Sequence, residues 1–432
     1  MHDSPLHLVA SLILSLSIIL IFAKLGGEFF ERILKMPPVL GELIMGIIIS
    51  PFALGGIILG SIGPLFEIPL DTHSGKESMI PVDSSLYFLA QLGAVILLFE
   101  AGLETNKKRF FQYLKPATAV AIGGVSLPFL LGVIATVLTG FASFNSLSEL
   151  IPALFVGSIM TATSVGITAR VLGDMGKLDS EEGVTILAGA VVDDVLGILI
   201  LAIIVAIETT GVVSIGGITL IAVKAISFWF VLTFFESLVA PWISRILFLF
   251  KGSGVRVCLS LSLAFLAAGI AELYFGLAMI IGSYSLGLAL SSTNLKEEIE
   301  ESLQKINYFL VPVFFCVIGM QVDLGAIFSG DASLILTISF VVILTIFAII
   351  SKFVGCGIPA LLFGFNRVGS WRIAVGMLPR GEVALIIAGI GLVSGVIDKQ
   401  VFGVTIFMTI ITTIIAPILL SPAFKSDKSG LR

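Results

Sequence analysis

The chain has 432 residues; 57% are hydrophobic and only 12% are Asp, Glu, Lys or Arg, about half the charged share of an ordinary soluble protein. That balance excludes a water-soluble globule, and a net charge of −5 with no basic tract argues against a nucleic-acid partner. The cysteines Cys258, Cys316 and Cys356 are widely separated and read as buried small residues, not as a disulfide or metal set.

Thirteen apolar segments appear in chain order, many of them long enough to cross a hydrocarbon layer. The first, 8–24, lacks a basic flank and a cleavage site, so it reads as a retained span and not as a signal peptide. The second, 38–53, opens at Pro37-Pro38, where proline suits a helix start. The long connection 54–83 holds His73, and His2 and His7 precede the first span, so no histidine falls at the membrane centre. The remaining segments are 84–103, 115–138, 149–171, 184–207, 214–241, 255–271, 273–291, 304–322, 333–359, 371–394 and 400–420, with Glu272 alone dividing 255–291. Alternating ten-residue strands, the mark of a membrane β-barrel, are absent. The expected fold class is therefore an all-α polytopic membrane protein of about 13 spans.

Lys and Arg gather after odd-numbered spans, from Arg32 and Lys35 through Lys107, Lys108 and Arg109 to Lys425 and Lys428, while alternate loops hold only Lys76 and Lys399. The positive-inside rule then places the N-terminus outside and the C-terminus in the cytoplasm of a cell that carries the chain in its plasma membrane. Residues 1–420 form the expected transporter domain and 421–432 a short cytoplasmic tail. The sequence contains no Walker A pattern, so neither an attached nucleotide-binding domain nor ATP-driven transport is expected.

Charges inside the spans carry the functional reading. Asp193 and Asp194 stand side by side in LAGAVVDDVLGILILAIIVAI, and a carboxylate near the bilayer centre costs about 2.5–3.5 kcal/mol on insertion scales. They lie about 100° apart on the helical wheel, so one can face an ion path while the other turns to a neighbouring helix. Lys352 is flanked by apolar residues on both sides, and pairing it with an aspartate houses both charges; a snorkelling lysine is the alternative. In the fifth span, Thr161, Thr163 and Ser164 supply hydroxyls around a flexible Gly166, as in an interrupted helix, although close helix packing also explains such clusters. Pro379 and Gly381 interrupt the twelfth span, and Arg380 with Glu382 brings opposite charges there. The two interruptions are seven spans apart, the spacing of a bundle repeated, inverted, in the other half of the chain. Glu42, close to a span start, reads as wet; Glu100 reads as interfacial, and Lys224 as snorkelling.

These residues resemble those of the second family of monovalent cation:proton antiporters, closest in pattern to bacterial electrogenic sodium/proton antiporters of the NapA type. The likeness rests on PPVLGELIMGIIISP, LLFEAGLET, TATSVGITARVL, AGAVVDDVLGI, VPVFFCVIGMQVDL and LPRGEVALI, in family order from about residue 8 to 420. It implies that Asp194 binds Na+ or H+ alternately, that Asp193 pairs with Lys352, and that Asp194 and Asp193 are the Na+ ligands. It further implies that Thr161, Thr163 and Ser164 lie at the crossing of two discontinuous helices, with Glu382 and Arg380 in support. The architecture implied is a homodimer in membrane lipid, with dimerisation helices and a six-helix ion-translocating core interleaved along the sequence. The potassium-efflux branch carries a glutamine where this chain has Asp193. The expected activity is therefore Na+ (or Li+) exchange for H+ serving pH homeostasis, with no cofactor beyond the transported ions and no enzymatic step. A K+/H+ antiporter, a gated cation channel and a non-transporting sensor are the rivals.

Overall fold

The computed structural model describes residues 5–432 apart from 59–63, 70–77, 79, 211–236 (save 216, 219, 223 and 227), 253, 324, 329–332 and 427. The described residues form helices, short helical turns and two isolated β-bridges. In chain order the helices are α1 (Pro5–Phe29), α2 (Pro38–Ile48), α3 (Ser84–Glu104), α4 (Lys107–Leu138), α5 (Leu147–Thr161), α6 (Val165–Asp174) and α7 (Glu181–Thr210). They continue as α8 (Ser237–Leu247), α9 (Val255–Phe275), α10 (Met279–Leu290), α11 (Lys296–Met320), α12 (Leu334–Leu362), α13 (Arg367–Gly376), α14 (Glu382–Val393) and α15 (Lys399–Phe424).

Among the described residues nine stretches are long and apolar enough to cross a membrane, with α5 and α6 counted as one, and four shorter apolar helices accompany them. Together they stand where thirteen segments are expected. The seventh expected segment lies mostly outside the described residues, as does Lys224, and only its end is seen as α8. His2 and His73 lie outside them as well, and so does the side chain of His7.

Polar residues fix where the spans begin. The Asn106 side chain accepts from the amides of Lys108 and Arg109, Ser333 from that of Leu336, and Asp398 from that of Val401. Each such cap contributes about 1 kcal/mol to a helix start. Proline at the first position of α2 fits its start, since no amide is lost there. α2 ends at Ile48, short of the expected 53, because Pro51 restricts the backbone of the residue before it. The break within 255–291 falls at Gly276, which adopts the left-handed φ of 67° that closes α9, and not at Glu272.

Two compact units divide the chain, residues 1–94 with 304–325, and residues 95–303 with 326–432. Glycines permit backbone-to-backbone approach inside each. In the first unit a Cβ on Gly46 would stand 2.0 Å from the carbonyl oxygen of Cys316, and one on Gly41 would stand 2.1 Å from that of Gly26. Glu42, expected to be wet, is 2% exposed there, because it lies on the packed face of α2 together with Val39 and Leu43. In the second unit α4 packs extensively against α12, and a Cβ on Gly123 would stand 2.0 Å from the carbonyl oxygen of Gly355. Close packing of this kind substitutes for the hydrophobic driving force that lipid removes. Cys316 and Cys356 are buried as expected, whereas Cys258 is exposed on the outward face of α9.

Replacing Gly123 by Ala should force α4 away from α12 and lower stability by about 1–3 kcal/mol, as overpacking does. Gly269 has no atom near its virtual Cβ, so Gly269→Ala should leave the melting temperature of purified protein within a degree or two of the parent's.

Candidate functional site

The backbone opens twice inside the second unit, between α5 and α6 at residues 162–164 and between α13 and α14 at residues 377–381. The two openings meet: the Ser164 amide donates to the Pro379 carbonyl at 2.7 Å. A second link joins the Thr168 hydroxyl to the Gly376 carbonyl at 2.6 Å. A side chain at Gly381 would collide with Ser164, its Cβ falling 2.7 Å from Oγ, so glycine there is what lets the two segments touch. Both interruptions expected from the sequence are thus present, and they form one crossing.

Each half-helix end leaves carbonyls or amides unpaired within its own helix. At the C-terminal end of α5 two buried cations take up the carbonyls. Arg380, fully buried, donates through Nε and Nη2 to the Met160 carbonyl at 3.1 and 3.0 Å, and further to the carbonyls of Ala348 and Leu378. The Thr413 hydroxyl of α15 in turn donates to the Arg380 carbonyl. The described hydrogen bonds of the Arg380 side chain go to carbonyls, because a guanidinium offers five donors and the α5 end offers acceptors. Glu382 opens α14, but its side chain lies outside the described residues.

Lys352 is the second cation. It is 0% exposed, which removes the snorkelling alternative, and its three donors are all engaged. Nζ donates to the Thr161 carbonyl at 2.9 Å, to Thr163 Oγ1 at 2.7 Å and to Asp193 Oδ1 at 3.5 Å. The expected pair of Lys352 with Asp193 therefore exists, but it is the longest of the three contacts. The break in α5 holds the ammonium more tightly than the carboxylate does. The positive charge also offsets the negative end of the α5 dipole.

Asp193 and Asp194 are 2% and 5% exposed on α7, whose backbone is intact through this region. Asp193 Oδ2, Ser164 Oγ and Ser158 Oγ are buried without a protein hydrogen-bond partner among the described residues. Such an oxygen costs about 1–3 kcal/mol when left unsatisfied, and Ser164 Oγ lies at the crossing itself, against Gly381. The Thr161 hydroxyl bonds back to the Ser158 carbonyl at 2.8 Å, leaving Thr161's carbonyl, and not its side chain, to face the lysine. No cluster of three or more His, Cys, Asp or Glu side chains placed to hold a metal ion occurs among the described residues.

Three contributors are not evident in the sequence. Gly124 on α4 leaves room for the pair: a Cβ there would stand 2.6 Å from Cys356 Sγ, 3.6 Å from Lys352 Nζ and 4.0 Å from Asp193 Oδ1. Cys356, one turn after Lys352, fills the other side of that gap. Ser158 is a plain small residue of α5 until the fold turns its hydroxyl inward. A small residue facing the site is hard to recognise in a chain with 45 glycines.

The chain is similar over its whole length to known antiporters. It is 34% identical to the high-affinity Na+/H+ antiporter NhaS3 of Synechocystis sp., across 98% of this chain and 92% of that protein. It is 34% identical to the Na+/H+-K+ antiporter GerN of Bacillus cereus, across 96% and 97%. It shares its fold with the sodium proton antiporter MjNhaP1 of Methanocaldococcus jannaschii, with a TM-score of 0.66 and 16% identity over 95% of this chain and 97% of that one. Residues 15–426 match the family described as sodium/hydrogen exchanger, transmembrane, and the chain belongs to that family.

Proposed function

We propose that Asp194 is the carboxylate occupied in turn by Na+ and H+, and that Asp193 and Lys352 form the ion pair whose charge follows it. The chain is a secondary transporter that exchanges Na+ for H+ by alternating access, not an enzyme. Asp194 is assigned by its burial beside Asp193 on α7, and one observation carries the pairing of Asp193 with Lys352. In the buried break of α5 a fully engaged ammonium meets a carboxylate that keeps one oxygen without a protein hydrogen bond.

The cycle follows from competition for that oxygen-rich spot. A proton on the carboxyl removes a Na+ ligand, and a bound Na+ disfavours protonation because positive charge nearby lowers a carboxyl's pKa. Thr163, Thr161 and Ser164 hold the α5 break open beside the acids, and Arg380 fixes the end of α5 against the second interruption. Glu382, the first residue of α14, is the residue that the resemblance assigns to charge balance. Because all three central side chains are buried here, ions reach them only when the protein moves. A channel needs a continuous wet path; an exchanger needs burial on at least one side at every moment.

The finer assignments are part of the same reading. The chain is of the electrogenic NapA type, since Asp193 stands where the potassium-efflux branch carries glutamine. The ion-translocating core comprises α4, α5 with α6, α7, α12, α13 with α14, and α15. α1 buries little of its apolar surface within the chain, which supports a homodimer contact made by the remaining helices. The Lys and Arg distribution supports a C-terminus in the cytoplasm of a plasma-membrane protein serving pH homeostasis. GerN, whose name includes K+, keeps K+/H+ exchange as a second reading.

In everted vesicles Na+ should evoke a pH change that Asp194→Asn abolishes while folded protein stays in the membrane; activity retained in that variant would remove Asp194 from the cycle. Li+ and K+ added to the same vesicles decide the selectivity. Lys352→Ala strands the Asp193 carboxylate and the Thr161 carbonyl, costing about 3–5 kcal/mol, as breaking a buried pair does. Adding Asp193→Asn should restore much of that stability, measured as thermal melting of the single and double variants. The half-saturating Na+ concentration should rise about tenfold per pH unit of acidification where one proton competes, and more steeply where two do. A two-proton slope should accompany rates that respond to an imposed membrane potential; a one-proton slope with voltage-independent exchange would remove Lys352 as a proton carrier.

A further inference from the structure

Outside the ion site, the densest set of buried polar contacts gathers where α7 and α13 both begin. Arg372 on α13 is 5% exposed and pairs with Glu182, in the first turn of α7, at 2.7 Å. Its remaining donors read backbone carbonyls in the last turn of α15 and just beyond it: Nε to Ala423 at 3.0 Å, Nη1 to Lys428 at 3.0 Å, and Nη2 to Ser426. The guanidinium also lies over the Phe424 ring, 5.1 Å from its centre. Asn366, which caps α13 through Oδ1, uses Nδ2 to bind the carbonyls of Ser429 at 2.7 Å and Leu431 at 2.8 Å. Backbone bonds complete the seam, from the Asn366 amide to the Gly430 carbonyl at 2.8 Å and from the Arg432 amide to the Gly364 carbonyl at 3.0 Å.

The seat is shaped for this segment. A Cβ on Gly430 would stand 2.0 Å from Glu182 Oε1, and one on Gly369 would stand 2.2 Å from the Gly430 carbonyl. Gly430 is therefore enclosed between α13 and the Glu182 carboxylate, and any side chain there would push the segment out. The attachment is mostly polar: Lys425, Ser426, Lys428 and Ser429 are exposed, and a cavity of about 180 Å3 remains beneath them, lined in part by Lys177, Ser180 and Glu181. Hydrogen bonds to the Arg372 and Asn366 side chains and to the backbone at Gly364 and Asn366 hold the segment down.

We propose that the segment from Lys425 to Arg432 is a strap that locks the starts of α7 and α13 to each other, and that Arg372 and Gly430 are positioning residues for exchange. Glu182 lies about three turns before Asp193 on one helix, and Arg372 lies on the half-helix that runs into the crossing at 377–381. Fixing these two starts limits how far α7 can slide past the interrupted helix, and so limits drift of the acids relative to the α5 break. The role rests on the reading of Asp193, Asp194 and Lys352 as the ion site. Preorganisation of that kind acts on affinity for the ion.

The test uses the full chain in everted vesicles, with Gly430→Val to expel the strap and Arg372→Lys to keep the charge but lose the fork of carbonyl contacts. Release is read from maleimide labelling of Leu431→Cys in a Cys258→Ser background. Both variants should label faster, and half-saturating Na+ should rise about three- to tenfold with the maximal rate per folded chain kept within about twofold. A purely structural role would reduce the amount of folded protein and leave half-saturation unmoved. Fast labelling with unchanged half-saturating Na+ would overturn the proposal, as would no release in either variant. Failure of both variants to reach the membrane folded would make the strap a folding element and overturn it as well. Asp194→Asn, assayed in parallel, reports on the ion-site reading separately, because its labelling at Leu431→Cys should match the parent's.

Discussion

A lysine ammonium with no access to water, deep in an apolar bundle, is the constraint around which the second unit is arranged. Removing such an ion from water costs several kcal/mol even after the protein relaxes. The chain offsets that cost by opening α5, so that the Thr161 carbonyl and the Thr163 hydroxyl become acceptors at the depth where Lys352 ends. An uninterrupted helix would have used that carbonyl for its own amide four residues on. The interruption is thus a requirement of the buried charge as much as a feature of ion coordination. Asp193 completes the set from a third helix, α7, at the longer distance of 3.5 Å.

The same logic explains why the second interruption must lie against the first. Opening α5 exposes more carbonyls than one ammonium can satisfy, and Arg380 supplies the additional donors from the α13–α14 break. That places Arg380 where its own backbone must leave the helix, which Pro379 and Gly381 allow. The hydrogen bond from Ser164 to Pro379 then ties one opened backbone to the other. Neither break is satisfied alone. A crossing of two half-helix pairs resolves both, and α12 contributes to it through both Lys352 and the Ala348 carbonyl.

Much of this was legible in the amino acids because charge is so scarce among them. Asp193, Asp194 and Lys352 stand out against long apolar runs, and Pro379 with Gly381 marks an interruption by local backbone chemistry alone. Span positions were legible for the same reason, since helix length in a bilayer is set by its thickness. What escaped depends on distance along the chain. Nothing near Arg380 announces that its partners are Met160 and Ala348, which are remote in sequence. Gly124 looks like any other small residue until the fold brings Cys356 and Lys352 to it. Glu42 reads as wet by its place near a helix start, yet the packed face of α2 buries it. The charge at Glu272 suggests where 255–291 divides, whereas the backbone turns at Gly276, where the left-handed conformation rather than polarity decides the break.

Charge balance gives a reason for exchange that does not depend on detailed coordination. The described crossing holds two cations, Lys352 and Arg380, and two carboxyl groups, Asp193 and Asp194, all buried. In a medium of low dielectric, net charge is far more costly than in water, so a closed site tolerates a narrow range of total charge. In the proposed cycle Na+ arriving as the Asp194 proton departs leaves the total unchanged, whereas either step alone shifts it by one unit. Losing Na+ leaves a deficit unless a proton arrives. Arg380, whose guanidinium stays protonated, serves as the fixed element of this balance. In the proposed cycle the movable charge is the proton on the Asp194 carboxyl, exchanged against Na+.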